Sequence, residues 1–503
     1  MKNKQLPLLL ILSLLFFVSC KQTKQEEKED KNIVNITVLQ LNDVYEMSPV
    51  SGGKLGGLAR VQTLLKELKA ENPNTFTVLS GDMLSPSAIG TAKIKKEGEE
   101  KEQKIAGAQM VDVLNEMNWD FFMLGNHEFD LKEPELRARL SEMKFKVISD
   151  NVLDTSGAMF PNTQTNLQFE VEGVKIGLLG ITLDKNTGGY AIISPAFEAA
   201  EKAVKELKNK GSNIIIALTH QVLIDDINMA AEIADIDIIM GGHEHENFKL
   251  LRGDDFTPIT KADANAKTVF VHKLSYNKMS KKLDIASELV FIDDQIKEDP
   301  AIAQVVNKWT ELAFNSFRKM GYEPADTICI SDKVLDGTEA AVRNRATELT
   351  NLITRGFLSA YPTADASIMN GGTVRIDDKL QPGPITQYDI LKISPFGGSI
   401  SLVSMNGETL VKALIEGQEN IGAGGFLQYA NISKVNEEWM INEKPVEPTK
   451  VYKIAITSYI VERKDNGYAL LGYKSNHVQK TAAPKHQFVK VVIDQFRKEF
   501  PSE

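Results

Sequence analysis

Five apolar runs in the first half of the chain end abruptly on side chains that bind metals or carry protons, and this repetition constrains the fold more than any other feature. Residues Ile33 to Leu41 (IVNITVLQL) run into Asn42-Asp43-Val44-Tyr45-Glu46, and Thr75 to Ser80 (TFTVLS) run into Gly81-Asp82. Asp120 to Leu124 (DFFML) runs into GNHEFD, Gly125 to Asp130. Asn213 to Thr219 (NIIIALT) runs into His220, and Asp235 to Met240 (DIDIIM) into Gly241-Gly242-His243-Glu244-His245. Short apolar runs bounded by Gly or Asn predict buried strands that end in tight turns. Between them lie stretches with helical spacing, such as Met110, Val113, Leu114 and Met117. Strands alternating with helices predict an α/β domain with a largely parallel sheet, whose strand carboxyl ends share the edge where such sheets bind ligands. That arrangement delivers Asp43, Asp82, Asn126, His127, His220, His243 and His245 to one region, including four of the seven histidines in the chain.

A single GNHEFD segment reads equally well as a capped turn whose histidine satisfies a backbone carbonyl. Five strand exits of the same design do not, because a core histidine is usually solitary and surface carboxylates do not select strand exits. Imidazole, amide and carboxylate donors together suit Zn, Mn, Fe or Co, and three histidines disfavour Mg. The spacings in HEFD and HEH differ from HExxH, which excludes a zincin helix.

The N-terminus has a basic start, an apolar run from Leu8 to Val18, then Ser19-Cys20. This is the pattern of a secretory signal, too short to span a membrane. Cys20 sits where a bacterial lipoprotein carries its lipidated cysteine, although Phe17 stands where leucine is commoner. The expectation is an exported protein, held to a membrane through an N-terminal lipid, periplasmic or at the cell surface. The only other cysteine is Cys329, so no disulfide is expected within the mature chain. Residues 21–31 (KQTKQEEKEDK) are charged and without apolar side chains, a solvated tether.

The net charge of −10, with Lys and Arg dispersed, argues against binding to a nucleic-acid polymer, which needs a basic patch. Nothing in the sequence points to a protein partner. At 503 residues the chain is too long for one core. The expected division is a signal peptide at 1–19, a tether at 20–32, a first domain at 33–293, a linker helix within 294–324 and a second domain at 325–503. The helical spacing from Asp299 to Met320 stops where Gly321 and Pro324 demand it. The charged stretch Ala92 to Lys104 reads as a solvated insertion.

The second half contains only His477 and His486, far apart, so it offers no comparable metal cluster. Its informative stretches are Met369-Asn-Gly-Gly-Thr-Val-Arg375, Ser394-Pro-Phe-Gly-Gly398 and Gly424-Gly-Phe-Leu-Gln428. Glycines there permit close backbone approach to a ligand. Arg375 supplies a planar fork suited to phosphate or carboxylate, and Phe426 offers a ring for stacking.

The ordered series NDxx, GDxLSPS, GNHEFD, LTH and GGHEH, followed by these Gly/Asn/Arg stretches, resembles the bacterial 5′-nucleotidase and UDP-sugar hydrolase family across almost the whole mature chain. The resemblance implies a metallophosphoesterase domain followed by an α/β nucleoside-binding domain. It implies two divalent metal ions, Zn, Mn or Co, sharing Asp82. One is also held by Asn126, His220 and His243, the other by Asp43 and His245, plus a histidine two places after the Asp. Here that place is Tyr45, so the first ion is expected to bind weakly, with fewer protein groups, or to recruit a tyrosinate or a water. His127 is implied as the group stabilising the transferring or leaving oxygens, oriented by Asp130. The implied nucleoside pocket has Phe426 and Tyr459 on either side of the base, with Asn370 and Arg375 on the substrate. Arg345 falls at another family arginine, with Arg343 as the alternative, and Asp465 at the ribose carboxylate. The family's ribose-binding turn has drifted to Arg463-Lys-Asp-Asn-Gly-Tyr468 and its TN-x-G stretch to Thr347-Glu-Leu-Thr-Asn351. The expected activity is hydrolysis of nucleoside 5′-monophosphates by metal-activated water. UDP-sugar or cyclic-nucleotide hydrolysis, and a nucleotide-binding lipoprotein with a decayed metal centre, remain as alternatives.

Overall fold

A computed structural model describes residues 32–95, 100–462, 471 and 477–501. Cys20, the signal at 1–19 and the tether as far as residue 31 lie outside the described residues, as does Asp465. The five runs form strands β1 (Ile33–Leu41), β2 (Thr75–Ser80), β3 (Phe121–Met123), β4 (Ile214–His220) and β5 (Ile238–Gly242). They do not share one sheet. β1, β2 and β3 are adjacent in a seven-stranded sheet. β4 and β5 are adjacent in a six-stranded sheet beside Val174–Thr182. The single sheet edge expected from the alternation is therefore replaced by two edges facing each other.

The reason lies in the strands being apolar on both sides. Along β1, Val34, Ile36 and Val38 join Phe76, Val78, Ile176, Leu178, Ile214, Ile216 and Ile238 in the core between the sheets. Leu39 and Leu41 instead enter the core on the opposite side, with Leu58, Val61 and Leu65 of the helix Leu58–Glu71. The outer face of the second sheet is covered by the helices Ala196–Asn209 and Leu223–Glu232, through Ala203, Leu207 and Met229. Two sheets covered in this way stack as sandwich layers between helices.

Parallel register then aligns the exits. Leu41 pairs with Leu79, and Ser80 with Met123. In the second sheet Thr182 pairs with His220, and His220 with Gly242. Ser80 joins the sheets, its hydroxyl donating to the Met240 carbonyl at 2.7 Å.

The helix expected at 299–320 is observed as Pro300–Lys319, with Asp299 accepting from the amides of Ala301 and Ile302 at 3.1 and 3.2 Å. It lies against the first half of the chain: the Trp309 indole donates to Asp112 at 2.8 Å. The described residues of the stretch at 92–104 are mostly exposed, as expected, and are anchored on this helix at their ends. Lys93–Ile94 pairs with Gln103–Lys104, Ala92 and Ile105 are buried, and the Lys93 amide donates to Ser316 at 2.8 Å.

The second half is built on a sheet ordered Leu427–Ala430, Ala366–Asn370, Val451–Thr457, Ser399–Asn406 and Gln479–Lys480. The two halves touch beside the aligned exits. Asp378 accepts from the Ser51 amide at 2.5 Å and its hydroxyl at 2.6 Å. Tyr388 donates to Glu46 at 3.3 Å.

Candidate metal centre and substrate cleft

Asp43, Asp82 and His243, each just past its strand, adopt positive φ angles of 52°, 59° and 84°. Non-glycine residues rarely occupy that region, and such strain concentrates at functional sites. The turns must also approach one another closely. A Cβ on Gly125 would stand 2.2 Å from an oxygen of Asp82, which accounts for the glycine of GNHEFD.

Asp43, Asp82 and His220 are buried and offer ligand atoms within 4.8 Å of one another. The Nδ1 of His220 faces the Ser80 carbonyl at 2.8 Å, so it carries the hydrogen. Its Nε2 is buried without a hydrogen-bond partner and lies 3.1 Å from Asp82 Oδ2. Atoms so placed need a proton or a metal ion between them. Burial opposes charge on His220, yet Asp82 and Asp43 push its pKa up to about 9. For His243, burial and the neighbouring His220 lower the pKa to about 2, leaving a neutral imidazole, the form that binds metals. Its Nδ1 lies 3.1 Å from Asn126 Oδ1. Asp82, Asn126, His220 and His243 thus meet as a donor set that fits a divalent ion.

Around the remaining predicted ligands the phenol of Tyr45 is central. Its oxygen is 3.2 Å from Asp43 Oδ1, 3.1 Å from Asp82 Oδ2 and 3.1 Å from His245 Nε2. Burial, together with Asp82 and Asp43, raises its pKa well above the ordinary value. His127 and Asp130 meet directly, Nδ1 to Oδ2 at 2.7 Å. The His127 amide donates to Asp82 Oδ1 at 2.8 Å. Asn186 fixes the far side of Asp130, donating to Oδ1 at 3.0 Å.

Several residues of the site were not singled out from sequence. Glu128 is fully buried and accepts from the amides of Asp82, Met83, Leu84 and Gly125 at 2.7–3.1 Å. It binds the β2 and β3 exits together, and its place inside HEFD was its only signal. Lys261 is buried with Asp226 at 2.8 Å and Glu244 at 2.5 Å, and donates to the carbonyls of Gln221 and Gly242. It pins the turns that carry His220 and His243. Asp377, from the second half, lies 3.1 Å from His245 Nδ1. Glu339, whose amide donates to Asp377 at 2.7 Å, also faces that ring at 3.9 Å.

The cleft between the halves is lined by Tyr45, Pro86, His245, Glu339, Arg375 and Asp377. Arg375 has a buried Nε without a hydrogen-bond partner. Of the two candidate arginines, Arg343 is mostly buried and pairs with Glu339, which itself lines this cleft. Arg345 is exposed and pairs with Asp336 at 3.0 Å. Arg343 thus reaches a residue of the cleft lining, whereas Arg345 pairs away from it.

Asn370 and Phe426 are brought together, as the Gly371 amide donates to the Phe426 carbonyl at 2.7 Å. A Cβ on Gly371 would lie 2.5 Å from the Val342 carbonyl oxygen, so this turn needs its glycine for loop packing. The Asn370 side chain donates to the Gly424 carbonyl at 3.2 Å and accepts from Thr373 at 2.8 Å, which commits much of its amide to the fold. Phe426 is half-buried and Tyr459 is 46% exposed.

Residues 36–247 match the family model described as calcineurin-like phosphoesterase, and residues 328–472 match the 5'-nucleotidase C-terminal domain. The 5'-nucleotidase of Vibrio cholerae is 26% identical over 475 residues, covering 82% of this chain and 81% of its own. A snake venom 5'-nucleotidase from Naja atra is 25% identical, covering 88% of this chain and 93% of its own. The crystal structure of a 5'-nucleotidase precursor from Thermus thermophilus superposes with a TM-score of 0.76 at 21% identity, covering 93% of this chain and 97% of that one; this last likeness is one of fold. With both domains matched in order and the phosphoesterase donor set assembled, the chain belongs to the 5'-nucleotidase family of phosphoric ester hydrolases.

Proposed function

We propose that this protein hydrolyses nucleoside 5′-monophosphates to nucleoside and phosphate, outside the cytoplasm and tethered through Cys20. The observation that carries the reading is the meeting of Asp82, Asn126, His220 and His243 next to Tyr45, which touches Asp82 and lines the cleft that also receives Arg375. Nucleotide phosphoester hydrolysis is the chemistry of the family; the 5′-monophosphate, the metals and the location are the inference.

Asp82, Asn126, His220 and His243 would hold one divalent ion, and Asp43, Asp82 and His245 would hold another. When bound, such ions lower the pKa of water and neutralise phosphoryl oxygens. The remaining work falls to the chain. Arg375 and Arg343 offer permanently charged forks to the phosphate. With Nδ1 engaged by Asp130, His127 presents Nε2 to the phosphoryl or leaving oxygen and stabilises the charge that develops there. Asp130, held in turn by Asn186, fixes that imidazole. Phe426 and Tyr459 stack on the base, and Asp465 accepts from the ribose. The acidic net charge is no obstacle, because bound cations dominate the local field.

The test is phosphate release from nucleoside 5′-monophosphates, diphosphates, cyclic nucleotides and UDP-sugars, before and after chelation. Release that is greatest from 5′-monophosphates, is abolished by chelation and returns with Mn or Co is the expected result. Full release after exhaustive chelation, with metal shown absent by elemental analysis, overturns the metal mechanism; preference for UDP-sugars or cyclic nucleotides overturns the substrate.

A further inference from the structure

The Tyr45 phenol carries one hydrogen, yet its oxygen faces Asp43 Oδ1 at 3.2 Å, Asp82 Oδ2 at 3.1 Å and His245 Nε2 at 3.1 Å. A hydroxyl has one donor hydrogen, so it can satisfy only one of the two carboxylates. Even if the imidazole donates into the phenol oxygen, the other carboxylate oxygen meets lone pairs across a buried contact. Tyr45 is 6% exposed and Asp43 and Asp82 are at most 1% exposed, so water does not relieve the conflict. His220 Nε2 also stands 3.1 Å from that Asp82 oxygen, but it does not reach the phenol, whose lone pairs still face a carboxylate oxygen, a contact that is costly in a protein interior. A cation enclosed by all four atoms removes it.

Four of the six separations among these atoms are close to the spacing that such a cation imposes. The Asp43 Oδ1–His245 Nε2 separation is 3.6 Å, so four of the six edges measure 3.1, 3.1, 3.2 and 3.6 Å. Tetrahedral zinc with oxygen and nitrogen ligands at about 2.0–2.1 Å sets those ligands roughly 3.3–3.4 Å apart. His245 is turned to match: Asp377 stands at its Nδ1 at 3.1 Å, which leaves Nε2 facing the phenol.

From this geometry we propose that the Tyr45 oxygen is itself a ligand of the first metal ion, the fourth member of a set with Asp43, Asp82 and His245. The phenol proton leaves to solvent as the oxygen–metal bond forms. The inference rests on the metal-dependent reading of the site and concerns which atoms close it. Tyr45 then completes the first site by a different donor, the tyrosinate among the alternatives that its sequence position left open.

The test titrates zinc into the full chain stripped of metal, at neutral pH, following the ultraviolet difference spectrum of ionised tyrosine and the zinc bound per chain. Two bound zinc ions are expected, with the phenolate band growing alongside one of them. Tyr45→Phe keeps the ring and removes only the oxygen. It should abolish the band and weaken one of the two zinc sites by at least about tenfold, since even partners beyond the ligands are worth that much. Tyr45→His should restore two tight ions without the band. Zinc binding by the unaltered chain with no phenolate band, or a band and zinc affinity unchanged in Tyr45→Phe, overturns the proposal. Neither readout uses a substrate, so failure to hydrolyse nucleotides would overturn the proposed activity and leave this result standing.

Discussion

Asp377 Oδ2 lies 3.1 Å from His245 Nδ1, joining a loop of the second domain to the imidazole proposed to hold the first metal ion. Asp377 is 6% exposed. Burial opposes its charge, but His245 and Lys267 hold its pKa down at about 2. The carboxylate is therefore ionised throughout the working range and holds the ring with Nε2 toward Tyr45. Its role is positioning, the kind of partner whose loss weakens metal sites by about 10- to 100-fold. Asp377→Asn should lower zinc affinity at the first site by that factor while the second site is unaffected, as read by competition with a chromophoric chelator. Equal weakening of both sites would point to a general loosening of the domain contact.

His272 gives the fold a dependence on pH that is separate from the metal centre. The ring is fully buried, between Gln40 Oε1 at Nε2, 2.9 Å away, and the Ser287 hydroxyl at Nδ1, 2.8 Å away. Gln40 uses its amide nitrogen on the Gly241 and Thr260 carbonyls, so its oxygen accepts from Nε2–H and Ser287 donates to Nδ1. Burial and the charge of Lys249 lower the folded pKa to about 3, against roughly 6.5 in the unfolded chain. Between those values the unfolded state binds the extra proton, so stability falls as pH drops from about 6.5 toward 3. At pH 5 the loss from this group is about 2 kcal/mol. His272→Gln should flatten the corresponding part of the pH dependence in urea unfolding, whatever its effect on stability at pH 7. An unchanged slope between pH 6.5 and 5 would mean the ring is protonated in the fold.

Much of this site was legible because its ligands are local to strand exits. A short apolar run followed by Gly-Asp or Gly-Asn-His announces both a strand end and a polar side chain at it, and the meeting of Asp82, Asn126, His220 and His243 followed from those exits alone. The division into two sheets was not legible. Runs apolar on both faces suit a strand covered by helices as well as one covered by another sheet, and periodicity cannot separate these. Glu128 was hidden by its neighbours in GNHEFD, since only coordinates reveal that it accepts four backbone amides rather than binding metal. Lys261, Asp377 and the choice of Arg343 over Arg345 depend on contacts distant in sequence. No spacing rule encodes which residue of Arg343-Asn-Arg345 turns toward Glu339.

Stacking by Phe426 and Tyr459 predicts a selective defect. Removing one face of a base sandwich costs about 1–3 kcal/mol. Phe426→Ala should therefore raise KM for nucleoside monophosphates by roughly 10- to 100-fold, with little change toward a small aryl phosphate that does not reach the ring. Steady-state kinetics on both substrates decides the matter: parallel losses would assign Phe426 to packing alone.

His127 and Asp130 lie 2.7 Å apart, and the His127 ring meets Tyr45 edge-on with 6.3 Å between centroids. Its backbone amide donates to Asp82 Oδ1, and a substitution leaves that bond in place. His127→Ala thus removes an imidazole without removing a metal ligand. Turnover should fall about 10²–10³-fold, the scale of a lost oxyanion donor, while metal content stays at the unaltered level. Asp130→Asn should fall by less, since an amide oxygen can still accept from Nδ1, although the imidazolium form loses its charged partner. A His127→Ala protein that keeps its turnover, or that loses one metal ion per chain, would assign the imidazole to a different task.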